Sequence, residues 1–166
     1  IMHRYQTEIR WGLIFTAVML LWMWGEQLVG LHGRYIAQHA TYTNLFAIPA
    51  ILLYVLALKQ KKHRDYGGQM SWKQGMQSGV LITLVVVVLS PAVQWLTHTV
   101  ITPEYFNNVQ AYAITQGMMS PQQAAEYFSL SNYMLQSLIG AAIMGVLTSA
   151  IVAFFLRSKV TVNSSK

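Results

Sequence analysis

The chain has 166 residues, of which 54% are hydrophobic and 10% charged, and its mean hydropathy is +0.39. This composition is too apolar for an ordinary soluble domain and predicts a membrane protein. The absence of cysteine excludes a disulfide framework, a thiolate metal site and a cysteine nucleophile. The net charge of +6 comes without a nucleic-acid-binding motif, so it favours a role in membrane orientation.

Four apolar segments occupy residues 11–31, 40–58, 76–97 and 133–156. Each is long enough for a hydrocarbon core of about 30 Å, which takes roughly 20 helical residues. Backbone groups in lipid must form hydrogen bonds within their own segment, so these segments are predicted to be helices. The sequence therefore predicts an all-α polytopic membrane protein, a single domain over residues 1–166 with a four-transmembrane-helix bundle. The first segment is expected to be retained, since no small-residue cleavage pattern follows it.

The first segment is interrupted at its far end by Glu26 and Gln27, in the stretch "MWGEQLVG". A carboxylate facing lipid would be costly, so we expect Glu26 to point into the bundle and to lie within reach of Arg34, Gln94 or His98. Glu26 is then either an anchor between helices or part of an outer cavity that holds a headgroup or cation, or relays protons. The candidate polar cavity comprises Glu26, Gln27, Arg34, Gln94 and His98.

Basic residues alternate between the predicted loops. One side carries Arg4 and Arg10, the inner loop 59–75, and Arg157, Lys159 and Lys166, whereas the other side carries only Arg34. The positive-inside rule predicts that both termini are cytoplasmic. Basic residues of the inner loop are also predicted to contact lipid headgroups. They are Lys59, Lys61, Lys62, Arg64 and Lys73.

Small residues recur at helical spacing in the third and fourth segments. The third segment begins after a predicted capping box, Ser71 to Gln74. Small side chains allow helices to approach closely, so the two rows are predicted to pack together within one chain, with self-association as the open alternative. The rows are Gly75, Gly79 and Thr83, and Ser137, Ala141, Gly145, Ser149 and Ala153.

The outer loop, residues 99–131, is too long for a simple connection between helices. Thr102-Pro103-Glu104 is typical of a helix start, with Thr102 as the N-cap, and Tyr and Phe then recur at helical spacing as far as Gly117. Ser120-Pro121 begins a second helix. This predicts a helical outer hairpin between helices 3 and 4, whose apolar face packs on the bundle rather than on a partner protein. Its aromatic residues are then expected to be more protected than its glutamines, namely Tyr105, Phe106, Tyr112, Tyr127 and Phe128 against Gln110, Gln122 and Gln123.

Two stretches, "HRDYGGQMSWKQGMQSG" and "SPQQAAEYF", resemble the bacterial membrane family called domain of unknown function 4199, and the likeness runs over most of the chain. The resemblance implies an inner-membrane location and no established activity. It also implies a lipid-linked partner, a polyprenyl-phosphate glycosyltransferase, because members look to be encoded near such enzymes.

The sequence predicts no enzymatic activity, since it has no Ser/His/Asp order and no nucleophile elbow. Four side chains are of types that bind metals, Glu26, His32, His39 and His98. They include no pair of histidines four residues apart, so the sequence predicts no metal or other cofactor. Two functions stay open. One is an accessory or scaffold subunit of an envelope complex; the other is a small transporter or lipid-headgroup-binding protein that uses the Glu26 cavity. The lack of a convincing internal repeat favours the subunit.

Overall fold

The computed structural model describes residues 5–158, and secondary structure within this range is entirely helical. A 3₁₀ turn, Thr43–Phe46, joins the second and third helices, and a π-helical turn, Thr97–Ile101, extends the fourth. The helices are α1 (Gln6–Leu28), α2 (Ile36–Tyr42), α3 (Ala47–Tyr66), α4 (Trp72–Leu96), α5 (Tyr105–Thr115), α6 (Pro121–Tyr127) and α7 (Leu130–Leu156).

Three helical stretches of the described chain are long and apolar enough to cross a membrane, not four as predicted. They are Ile36–Tyr66, Trp72–Ile101 and Leu130–Leu156, with 31, 30 and 27 residues. The missing one is α1, which has 23 residues but also carries three tryptophans and the Glu26-Gln27 pair. These residues lower its mean hydropathy, because indole, carboxylate and amide groups favour the interface over the hydrocarbon core.

The long helices α1, α3, α4 and α7 pack side by side. The start of α1 meets the end of α3, where Trp11 donates a hydrogen bond to Gln60. The end of α7 meets the α3–α4 connection, where the Ser158 amide donates to the Met70 carbonyl. We call this end, which carries most of the basic residues, the basic end. Arg4, Lys159 and Lys166 also entered the orientation prediction, but they lie outside the described residues.

The two rows of small residues face each other between α4 and α7, the most extensive helix pair in the structure. A Cβ atom on Gly79 would lie 2.5 Å from the Ser149 Cβ, and one on Gly145 would lie 2.4 Å from the Thr83 Cγ2. Only glycine permits such close approach, because any larger side chain would overlap its neighbour. The facing pairs are Gly75 with Ala153, Gly79 with Ser149, and Thr83 with Gly145.

The far end of the α7 row is less tightly engaged. Ala141 packs against the hydrophobic core, whereas the Ser137 hydroxyl donates to the Met134 carbonyl of its own helix. The close contacts formed by the two rows are therefore contacts within one chain.

The predicted inner loop 59–75 is mostly helix. α3 continues to Tyr66, and only residues 67–71 connect it to α4, through Gly67 and Gly68, which both have positive φ angles. The Ser71–Gln74 capping box is present: the Gln74 amide donates to the Ser71 hydroxyl over 3.2 Å. Lysine and arginine are good helix formers, so the basic run prolongs α3 instead of breaking it.

The two helices predicted within residues 99–131 are present as α5 and α6. Gly117 follows α5 with a φ of 66°, and Ser120 caps α6 in a capping box with Gln123. Thr102 does not cap α5 as predicted, because its hydroxyl donates instead to the Gln27 side chain of α1. Tyr105 is buried as predicted, but Tyr127 is 46% exposed.

We expect the substitution Gly145→Ala to destabilise the protein relative to Gly140→Ala. Both changes add the same methyl group and the same gain in helix propensity, about 1 kcal/mol. At Gly140 the new Cβ meets none of the described residues within 4 Å, whereas at Gly145 it meets Thr83, which is held by hydrogen bonds to Tyr54 and Gly79. Overpacking of this kind costs about 1–3 kcal/mol.

Thermal unfolding of the two variants in detergent, followed by circular dichroism, measures the difference. Equal stability of the two variants would contradict the close approach of α4 and α7.

Candidate functional site

A reversal of the chain after α1 brings His32 next to Glu26. Gly30 has a φ of 86°, a conformation that side chains other than glycine rarely adopt. The Leu31 amide donates to the Glu26 carbonyl over 2.9 Å, and the Tyr35 amide donates to the Gly30 carbonyl over 2.9 Å. This turn, and not the helix period, places an imidazole beside the carboxylate.

Three side chains converge on the Glu26 carboxylate, which is only 4% exposed. The Trp22 indole donates to Oε1 over 2.8 Å. The Nε2 atoms of His32 and His39 lie 3.1 Å and 3.4 Å from Oε2, and His32 is itself 2% exposed. We call Glu26, His32 and His39 the carboxylate–histidine cluster. It lies at the end of the molecule opposite the basic end.

Tyr105 from α5 covers this cluster. Its ring centroid is 5.2 Å from the centroids of both His32 and His39, and its hydroxyl lies 3.4 Å from the His39 Nδ1 and 3.1 Å from the Tyr133 hydroxyl. Burial, together with the neighbouring Tyr133 hydroxyl, raises the pKa of Tyr105 well above its ordinary value. The hydroxyl therefore stays protonated and can serve as a donor or an acceptor.

The other predicted cavity residues lie around the cluster and have partners of their own. The His98 Nε2 lies 3.1 Å from the Gln94 Oε1, and the His98 ring is 5.0 Å from the Tyr105 ring. Gln27 accepts a hydrogen bond from Thr102 over 3.1 Å. Arg34 lies over the Tyr35 ring at 4.7 Å.

Glu26 therefore points inward as predicted, but its recorded partners among residues 5–158 are Trp22, His32 and His39 instead of Arg34, Gln94 or His98. The chain does fold back at Gly30, but the turn brings His32 rather than Arg34 to the carboxylate. No regular spacing connects His32 and His39 with Glu26, so the sequence indicates them only as possible metal ligands.

A groove of about 490 Å³ runs beside the cluster between the far half of α1 and the 3₁₀ turn. Its walls are almost entirely apolar, and Glu26 is its charged lining residue. The predicted outer polar region is thus an apolar groove next to a buried polar cluster. The lining residues are Val18, Leu21, Trp22, Gly25, Glu26, Val29, Leu31, Tyr42 and Leu45.

A second buried ionic group lies at the basic end. The Lys61 ammonium is 2.8 Å from the Glu8 carboxylate and 2.6 Å from the Asp65 carboxylate, and the Ser78 hydroxyl donates to Glu8 over 3.0 Å. Glu8 and Lys61 are 2% and 4% exposed. The predicted headgroup contact of Lys61 is therefore wrong, because its charge is neutralised inside the protein. The i, i+4 spacing of Lys61 and Asp65 was a readable signal for this pairing.

The other four residues of the predicted lipid contact differ from Lys61. Lys59, Arg64 and Lys73 are exposed, and the Lys62 ammonium donates to the Leu156 carbonyl over 2.8 Å. Three of the five side chains are therefore accessible to a headgroup.

Fold and site together define a class: an all-helical protein with three helices long and apolar enough to cross a membrane and a buried carboxylate–histidine cluster at one end. The sequence model of the family described as "Protein of unknown function (DUF4199)" matches residues 10–158. The chain belongs to this family, as the resemblance of its sequence motifs implied. No curated protein and no solved structure matches the chain.

We expect Glu26→Leu to destabilise the protein more than Glu26→Gln. Leucine leaves the Trp22 and His32 nitrogens without an acceptor in a buried site, and each unsatisfied group costs about 1–3 kcal/mol. Glutamine keeps one oxygen acceptor and the same shape, so its cost is about half as large.

Unfolding of the purified variants in detergent measures these costs, with Glu104→Leu as the control because Glu104 is exposed. The control is expected to change stability by less than about 0.5 kcal/mol. A Glu26→Leu variant as stable as this control would show that the buried carboxylate has no structural role.

Proposed function

We propose that the protein is a non-enzymatic integral protein of the bacterial inner membrane that serves as an accessory or scaffold subunit of an envelope complex. In this proposal α1 crosses the membrane together with the three apolar helices and completes a four-helix bundle. Its packing against α3 and α4 supports this arrangement. Both termini then lie in the cytoplasm, and the α5–α6 hairpin lies outside.

The observation that carries the subunit role is an exposed apolar surface on the hairpin, away from the apolar spans. Ile114, Met118 and Tyr127 are 38%, 63% and 46% exposed, and we call them the hairpin patch. A depression of about 560 Å³ adjoins Met118 and Tyr127 and is also lined by the polar side chains of Gln123, Glu126 and Asn132. An apolar patch with a polar rim is typical of a protein-binding surface.

Packed apolar side chains lie between the carboxylate–histidine cluster and the ionic group of Glu8, Lys61 and Asp65. This packing argues against a transport path through one chain. Phe15, Tyr54, Ile82 and Val86 are each at most 8% exposed and belong to one packed core. The Tyr54 hydroxyl is also engaged, 2.7 Å from the Thr83 hydroxyl. Polar groups at the opposite ends are therefore separated by apolar side chains, which favours a scaffold over a channel.

A second candidate, a lipid-headgroup-binding protein, is supported by the groove beside Glu26. The groove is apolar along its length and adjoins a carboxylate and two imidazoles, a combination suited to an acyl chain with a polar head. This candidate places the ligand beside Leu45, whereas the subunit role places the partner at the hairpin patch.

Site-specific photocrosslinking in cells tests both candidates. We expect a photoreactive residue at Met118 or Tyr127 to form a discrete adduct with a second protein, a polyprenyl-phosphate glycosyltransferase being the class that the family resemblance implies. The same residue at Gln122, which is exposed but does not line the depression, is the matched control. An adduct with a second copy of the chain would identify a homo-oligomer.

Equal adducts at Met118 and Gln122 would contradict the subunit role. Phospholipid adducts at Leu45 combined with no protein adduct at the hairpin patch would favour the second candidate instead.

The proposed orientation predicts opposite labelling of four introduced cysteines, since the natural chain has none. We expect Gln38→Cys and Gln116→Cys to react with a membrane-impermeant maleimide in spheroplasts, and Gln6→Cys and Gln69→Cys to react only after lysis. All four positions are exposed in the structure. Labelling of Gln6→Cys in intact spheroplasts would show that α1 does not cross the membrane.

A further inference from the structure

The carboxylate–histidine cluster has the composition and spacing of a metal site. Glu26, His32 and His39 each contribute one ligand atom, and these atoms all lie within 4.8 Å of one another. We propose that the three side chains bind one divalent transition-metal ion, with zinc as the best match. This inference does not depend on the subunit role.

The distances between ligand atoms fit coordination. Ligands about 2.0–2.2 Å from a tetrahedral zinc ion are about 3.3–3.6 Å apart. The Oε2 of Glu26 is 3.1 Å from the His32 Nε2 and 3.4 Å from the His39 Nε2. The ligand atoms of His32 and His39 lie within 4.8 Å of each other, so one ion contacts all three atoms once the two imidazole nitrogens approach the tetrahedral spacing.

One of the ligand atoms in the cluster has no hydrogen-bond partner among the described residues. Glu26 Oε1 is occupied by the Trp22 indole, which directs Oε2 toward the two imidazoles. His32 forms a hydrogen bond with Oε2, but the buried His39 Nε2 has no hydrogen-bond partner within residues 5–158. A nitrogen lone pair facing a carboxylate oxygen is unfavourable without a proton or a cation between them.

An ion also accounts for two imidazoles that face one carboxylate oxygen. The ring centroids of His32 and His39 are only 4.9 Å apart. A divalent ion between the three ligand atoms takes one lone pair from each of them, with both imidazoles neutral. The donor set of two nitrogens and one carboxylate oxygen suits zinc and disfavours Mg²⁺ and Ca²⁺, which prefer oxygen ligands.

The surroundings of His39 resemble the outer shell of a metal site, whereas the His32 Nδ1 is buried without a hydrogen-bond partner among residues 5–158. The Tyr105 hydroxyl lies 3.4 Å from the His39 Nδ1, where it can orient the ring while Nε2 contacts the ion. Asn108 donates to the His32 backbone carbonyl over 2.9 Å and fixes the turn that carries this ligand. Three protein ligands leave a fourth position.

Zinc binding by the full chain tests the site. The protein is purified in mild detergent, stripped with a chelator, loaded with zinc chloride and desalted, and its zinc content is measured by mass spectrometry. We expect one zinc per chain, unaffected by excess Mg²⁺. His32→Gln and His39→Gln are expected to weaken binding by at least about 100-fold, and Tyr105→Phe by about tenfold.

The matched control is His63→Gln, because His63 is exposed near the basic end and should not affect binding. Circular dichroism of each variant verifies that it is folded. If the ligand variants do not fold, Co²⁺ bound to the natural chain gives an independent result: a strong visible absorption band indicates tetrahedral coordination. Failure of the folded natural chain to bind zinc or Co²⁺, or an equal loss in His63→Gln, would overturn the proposal.

Discussion

A buried carboxylate in an apolar helix needs partners from the protein itself, because hydrocarbon offers no hydrogen-bond donors and an isolated buried charge is costly. Glu26 sets this requirement near the end of α1. Trp22 satisfies one oxygen from the preceding helical turn, and the second oxygen faces His32 and His39. The Gly30 turn and the position of α2 bring the two imidazoles to that oxygen.

Contacts around the Glu26 carboxylate and its histidines also position the α5–α6 hairpin. Tyr105 packs over both imidazoles and reaches the His39 ring through its hydroxyl, while Asn108 binds the backbone of the turn. Gln27 accepts a hydrogen bond from Thr102 immediately before α5. One charged side chain in α1 thus organises contacts among α1, α2, α5 and, through Tyr133, the start of α7.

The two ends of the helices are stabilised by different means. At the basic end, Lys61 is buried between Glu8 and Asp65, and small residues bring α4 and α7 into close contact. Breaking a buried ion pair by removing one partner costs about 3–5 kcal/mol, so Glu8 and Lys61 depend on each other. The opposite end combines aromatic rings, imidazoles and an apolar groove, features suited to recognition of another molecule.

Sequence reasoning succeeded where the signal was local or periodic. The capping boxes at Ser71 and Ser120 and the four-residue spacing around Gly145 depend on a single helix turn, and the structure contains each feature. The inward direction of Glu26 followed from the cost of burying a charge. Its partners could not be predicted, because the turn at Gly30 and the contact with α2 follow no helical period.

Other differences have similar physical origins. The four-span prediction counted α1 as a span despite the Glu26-Gln27 interruption, but these two residues and the three tryptophans lower its mean hydropathy. Lys61 was assigned to the membrane surface because of its basic neighbours, whereas Glu8, its partner, lies on another helix. Pairings between helices depend on tertiary packing and leave little trace in a single sequence.

A double-mutant cycle between Glu26 and His32 measures the central interaction most directly. The free energies of unfolding of the natural chain, Glu26→Gln, His32→Gln and the double variant give a coupling energy, and Glu26 with His63 provides the reference pair. The account predicts a coupling of about 1–3 kcal/mol for Glu26 with His32 and none for the reference pair. Additive effects of Glu26→Gln and His32→Gln would contradict it.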